Sequence, residues 1–195
     1  MKINEFVNEL KYYQMFLGEV ISDYYINKAI CDFFDQKPAS FIKYGNCLSH
    51  ISSALLQRQQ VLCNILLTKN RDGKSIPKTL GRLFTESTNI STDVLEQIKE
   101  KAKVVLNLIE ESKSDLSNLK DFRDNVYAHF NNNLFKEEWQ VDFRANHPFD
   151  FKKMVNMCIN IFDVFSHILE MLGEESYYKS ITPTMYIDSF IKSLS

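Results

Sequence analysis

The chain has 195 residues, 45% of them hydrophobic, and a mass of 22.9 kDa, enough to bury a sizeable core within one domain. Five glycines and four prolines leave long uninterrupted segments, which favours helices over a many-turned β fold. A net charge of −2 and a pI of about 6.1 exclude the global positive field of a protein that binds nucleic acid regardless of sequence, but not a nuclease with a local basic site.

Fifteen Phe and nine Tyr recur at helical spacing and are expected mostly in the core. Residues 3–35 carry Phe6, Leu10, Tyr13, Leu17, Val20, Tyr24, Ile30 and Phe34 along one broad face, which predicts a long first helix closed by Pro38. A second long helix is expected over 41–69, with Leu48, Ile51, Leu55, Leu62, Ile65 and Leu66 inward. A short connection between two such helices makes an antiparallel hairpin, a natural frame for a bundle.

The next stretch is locally basic: Lys69, Arg71, Lys74, Lys78 and Arg82 face a single acid, Asp72. Such a run is ordinarily a solvated surface, and alternatively a contact for RNA phosphates. Asn70, Asp72 and Gly73 mark a turn, and Pro77 suits the first position of a short helix carrying Leu80, Leu83 and Phe84. A helix over 92–112 follows, capped by Ser91 or Thr92, with Val94, Leu95, Ile98, Val105, Leu108 and Ile109 inward and mixed Lys and Glu outside.

After a break near Ser112 to Ser114, Leu116, Leu119, Phe122, Val126 and Phe130 continue the helical period until Asn131, Asn132 and Asn133 end it. The connection 136–149 reads as irregular, Asp150 caps a helix over 151–172 ended by Gly173, and Pro183 opens a last short helix through Leu194. Met154, Met157, Cys158, Ile161, Phe162, Phe165, Ile168, Leu169 and Leu172 are its expected core positions, and His167 is read as a core histidine. The expected fold is all-α: a single helical bundle of six or seven helices spanning 1–195.

The string Arg123-Asp124-Asn125-Val126-Tyr127-Ala128-His129 concentrates chemistry on one segment. At about 100° per residue Arg123 and His129 lie at opposite margins of the apolar stripe, roughly 120° apart. One straight helix therefore does not bring them face to face; a reaching Arg, a distortion near Ala128 or a second copy of the helix must. Arginine grips phosphate oxygens as a permanent charged fork, and histidine exchanges protons near neutral pH. At the edge of an apolar stripe the same pair also serves simply to cap a core.

This string resembles the motif of the HEPN superfamily, an Arg followed by a polar residue and then a His, and the wording FRDNVYAHF is most similar to its abortive-infection branch. SIPKTLGRLF at 75–84 is similar to the same branch. The resemblance implies an all-α bundle and a metal-independent endoribonuclease whose site forms between two motif helices of a homodimer. Arg123 would then clamp the phosphate and His129 act as general acid or base, with Asp124 and Asn125 in support. It also implies a role in prokaryotic defence or a toxin–antitoxin system, with RNA as substrate and a possible antitoxin or other regulatory protein as partner. Some members of the superfamily bind without cutting, so a non-catalytic interaction or RNA-binding module is the alternative. Phe130 and Asn131 stand where some toxin–antitoxin members carry a modified Tyr.

No cofactor or metal is expected. Cys47 and His50 sit three apart on a helix, but no second ligand pair follows, and the pair reads as a buried thiol beside a satisfied His. Neither a Gly-rich nucleotide loop nor a nucleophile signature is present. Cys31, Cys47, Cys63 and Cys158 form no C-x-x-C pair and the N-terminus carries charges, so free thiols in the cytoplasm are expected. No run approaches the roughly 20 apolar residues of a membrane span, and no membrane partner is expected.

Overall fold

The computed structural model describes residues 1–69, 74–122, 124, 146, 148 and 150–176. Six helices make up the described chain: α1 Ile3–Gln36, α2 Ser40–Leu67, α3 Ile76–Thr85, α4 Thr92–Glu111, α5 Lys113–Phe122 and α6 Phe151–Met171. No strand occurs among the described residues, so the fold is an all-α bundle. The expected last helix over 183–194 and the end of the motif helix lie outside the described residues.

Lys37, Pro38 and Ala39 turn the chain between α1 and α2, because proline has no N–H with which to continue the first helix. The partners across the pair step from Asn27 with Ser52, through Asp23 with Arg58, to Val20 with Gln59. As one number rises the other falls, so the two helices are antiparallel. α3 lies along the first half of α1, where Thr79 bonds Tyr13 and Glu9, and Arg82 reaches Glu5. α6 covers another side of α1, and Gln14 donates to the Ser166 hydroxyl at 2.8 Å.

Local signals set the ends of α6. Asp150 accepts a hydrogen bond from the Lys153 backbone N–H at 3.0 Å, the N-cap interaction expected of an Asp there. At the other end Gly173 has φ +74°, and the N–H of Glu174 returns to the Leu169 carbonyl at 2.9 Å. Only glycine adopts that left-handed conformation without penalty, so it closes the helix. Ser91 occupies the N-cap position of α4, yet its side chain makes no cap hydrogen bond.

All six helices feed one core, in which Phe6, Leu10, Leu17, Leu80, Ile98, Leu119, Ile161 and Phe165 are almost fully buried. A smaller cluster of Ile30, Phe33 and Leu48 closes the far end of the α1–α2 hairpin. Several positions read as inward are not. Ile51 and Ile65 are 39% and 44% exposed, and among the aromatics Phe84 and Tyr12 reach 41% and 60%. His167 is exposed beside Asp163 and Glu170, four and three residues away on the outer stripe of α6. Cys47 and His50 are likewise exposed rather than buried.

Candidate functional site

The motif follows directly on α5. α4 ends at Ser112, whose carbonyl accepts the Leu116 N–H at 2.9 Å to start α5 on a new course. Leu116 and Leu119 anchor the inner face of α5, being 4% and 1% exposed. Asp115 pairs with Lys153 of α6 at 2.6 Å, and the Asn118 amide donates to the Pro148 carbonyl at 2.7 Å. Two polar ties and two buried leucines thus fix the helix that leads into the motif. Beyond it Asp124 is half-buried. Arg123, Asn125 and His129 lie outside the described residues, as does Arg71.

The remaining basic residues of the 69–82 stretch separate onto different faces. Lys74 pairs with Glu9 at 2.7 Å, and Arg82 approaches Glu5, Glu9 and Glu86 at 3.4, 3.4 and 3.2 Å. Lys78 is half-buried on α3. Lys69 is exposed and lines a cleft of about 560 Å³ between the end of α2, the start of α3, the last turn of α4 and α5. α5 contributes Lys113 and Lys120 to the same cleft, and α4 contributes Glu110.

Glu9 is the centre of a polar knot that sequence spacing does not reveal. It is 6% exposed on the buried side of α1. The Thr79 hydroxyl donates to its carboxylate at 2.7 Å, which leaves that oxygen to accept from the Tyr13 hydroxyl at 2.8 Å. Burial pushes the Glu9 carboxyl up, but the hydrogen bonds from Lys74 and Thr79 and the charges of Lys74 and Arg82 outweigh it and hold its pKa below the ordinary value. Burial, aided by the Glu9 charge, raises the Tyr13 phenol, so it remains a neutral donor. The available sequence signal is a Glu on the buried stripe of a helix, which requires partners from elsewhere in the fold.

Beside this knot a groove of about 880 Å³ runs between α1 and α2, walled by Tyr12, Phe16, Leu62, Ile65 and Leu66. Its apolar walls and single polar end fit a mainly apolar occupant. Among the described residues no three His, Cys, Asp or Glu side chains gather as a metal site would need. The four cysteines are free thiols, and Cys158, hydrogen-bonded to Cys63 and fully buried, is held well above the ordinary thiol pKa. A thiol so protonated is a poor nucleophile.

Among the described residues no helix is long and apolar enough to cross a membrane. Comparison with family models, with curated proteins and with solved structures gives no match for this chain.

Proposed function

We propose that the protein is a metal-independent endoribonuclease of HEPN type, with Arg123 and His129 contributed by two copies of the chain to one shared site. The observation that carries this reading is the RDNVYAH string, which follows in sequence on α5, a helix pinned within an all-α bundle. In this reaction the RNA 2′-hydroxyl loses its proton and attacks the adjacent phosphorus. The P–O5′ bond breaks, leaving a 2′,3′-cyclic phosphate and a 5′-hydroxyl. His129 exchanges the proton, and Arg123 holds the non-bridging oxygens as negative charge builds on them. The angular separation of the two residues along a straight helix, about 120°, is the reason for invoking a second copy. Asp124 and Asn125 orient the pair, and the enzyme acts in the cytoplasm as a defence or toxin component restrained by a regulatory protein.

The test is incubation with labelled RNA in EDTA. Wild type should yield cyclic phosphate ends, Arg123→Ala and His129→Ala should not, and Arg123→Lys should be impaired because an ammonium cannot grip two oxygens as a fork. Full activity of both alanine variants would overturn the assignment. A second reading, a non-catalytic interaction module, is favoured by the apolar groove between α1 and α2, which has the character of a site for an apolar helix face. Failure of wild type to cut any of a broad RNA panel would select it.

A further inference from the structure

Seven lysines of the described chain are committed to carboxylates. Lys11, Lys28, Lys74, Lys99, Lys103, Lys113 and Lys153 each pair with an acid within 2.8 Å. The cleft between α2, α4 and α5 differs. It gathers Lys69, Lys113 and Lys120 against one acid, Glu110, and Glu110 is taken by Lys113 at 2.7 Å. Lys69 and Lys120 line it without a carboxylate partner among the described residues, while Asn107 and Ser117 add neutral polar groups. The arrangement follows from the fold: Lys113 and Lys120 are seven residues apart, two turns of α5, and so share a face about 10 Å long. Lys69 arrives from the end of α2, more than forty positions earlier in the chain.

We propose that this cleft is a binding site for the phosphate backbone of single-stranded RNA, in which Lys69 and Lys120 each neutralise one phosphate. The choice of RNA over other polyanions rests on the ribonuclease reading, since Lys120 precedes Arg123 by three residues and would deliver the strand toward the motif. The site has the chemistry that reading requires: a concave surface, an excess of uncompensated ammonium groups, and walls fixed by buried leucines. It also explains how a chain of net charge −2 engages a polyanion, because the attraction is confined to one place.

Binding is measured directly, apart from cutting, by fluorescence anisotropy of a labelled single-stranded RNA in EDTA. The His129→Ala background keeps the strand intact. The Lys69→Ala/Lys120→Ala pair is compared with Lys101→Ala/Lys152→Ala, which removes the same charge from exposed positions that do not line the cleft. Each lost phosphate contact lowers the log–log salt slope by about 0.7, so the cleft pair should lower it by about 1.4, which over one decade of salt is about 25-fold in affinity at 0.1 M. The control should change affinity by less than about threefold. Equal losses in the two pairs, or no loss in either, would overturn the proposal. If wild type does not cut RNA yet binds it through these lysines, the cleft stands and the nuclease reading falls. If wild type cuts RNA and the cleft pair binds like the control, the reverse holds.

Discussion

Arg58→Ala is expected to destabilise the protein by about 2–3 kcal/mol, more than most surface substitutions. Asp23 is fully buried on α1, and Arg58 of α2 donates to it from Nε at 2.7 Å and from Nη2 to its other oxygen. Glu19 stands 3.9 Å from Nη1 and takes little of the load. Removing the arginine strands a carboxylate in the interior, which costs about 3–5 kcal/mol where both members are deep. Here the Arg58 side chain is 51% exposed, so water enters the vacated space and the loss falls to the lower range. For a chain of this size that corresponds to a melting point lower by about 5–10 °C.

The converse substitution tests the reasoning. Asp23→Asn removes the charge that burial penalises and leaves an arginine able to hydrate, so it should cost only about 1 kcal/mol. Combining the two should be less damaging than Arg58→Ala alone. Urea unfolding of the four proteins at pH 7 checks the order. A loss below about 0.5 kcal/mol for Arg58→Ala would show that the pair behaves as an exposed one, and a larger loss for Asp23→Asn would reverse the logic.

Glu9 makes stability depend on acidity. Its folded pKa lies below the ordinary value of 4.5, so the unfolded chain binds the proton more readily. The stabilisation is therefore complete above about pH 4.5 and fades as pH falls through the folded pKa. Glu9→Gln, which keeps an acceptor for Thr79, should cost about 1 kcal/mol at pH 7, and urea melts between pH 7 and 3 should show the difference from wild type shrinking only below 4.5. Gly173→Ala should cost about 1 kcal/mol in thermal unfolding. An added Cβ there meets nothing within 4 Å, so the cost is the φ of +74° alone. Stability unchanged by that substitution would mean the end of α6 relaxes without penalty.

The helices were legible because their signals are local. The apolar period over 3–35, followed by Pro38, anticipates α1 Ile3–Gln36, and Asp150 and Gly173 bracket α6. Side-chain burial was legible only near the centre of each stripe. Taking Leu48 as zero on the α2 wheel, the buried Leu66, Cys63 and Leu67 fall at about 0°, +60° and +100°, whereas the exposed Ile51 and Ile65 fall at about −60° and −100°, the opposite margin. An apolar residue at such a margin is buried only if another layer reaches it, and periodicity does not say whether one does. The apolar neighbours of His167 suggest a core histidine, yet Asp163, His167 and Glu170 form an i, i+4, i+7 polar stripe on the outside. The Glu9–Thr79–Tyr13 knot and the lysine cleft join positions about 40 to 70 residues apart, and no spacing rule reaches that far.

The fate of the basic stretch bears on how variants must be interpreted. As a sequence it is one run of positive charge; in the fold Lys74 and Arg82 turn toward the carboxylates of α1, while Lys69 turns toward the cleft on α5. A cation already matched by a nearby carboxylate offers little net field to a phosphate, because binding would first have to displace the internal partner. Removing Arg82 loosens the knot around a buried Glu9, so weaker RNA binding in Arg82→Ala would arrive together with a lower melting point. Removing Lys69 or Lys120 touches no such pair, so weaker binding there would leave the melting point in place. Stability measured beside affinity therefore separates the lysines that hold the fold from those available to a ligand.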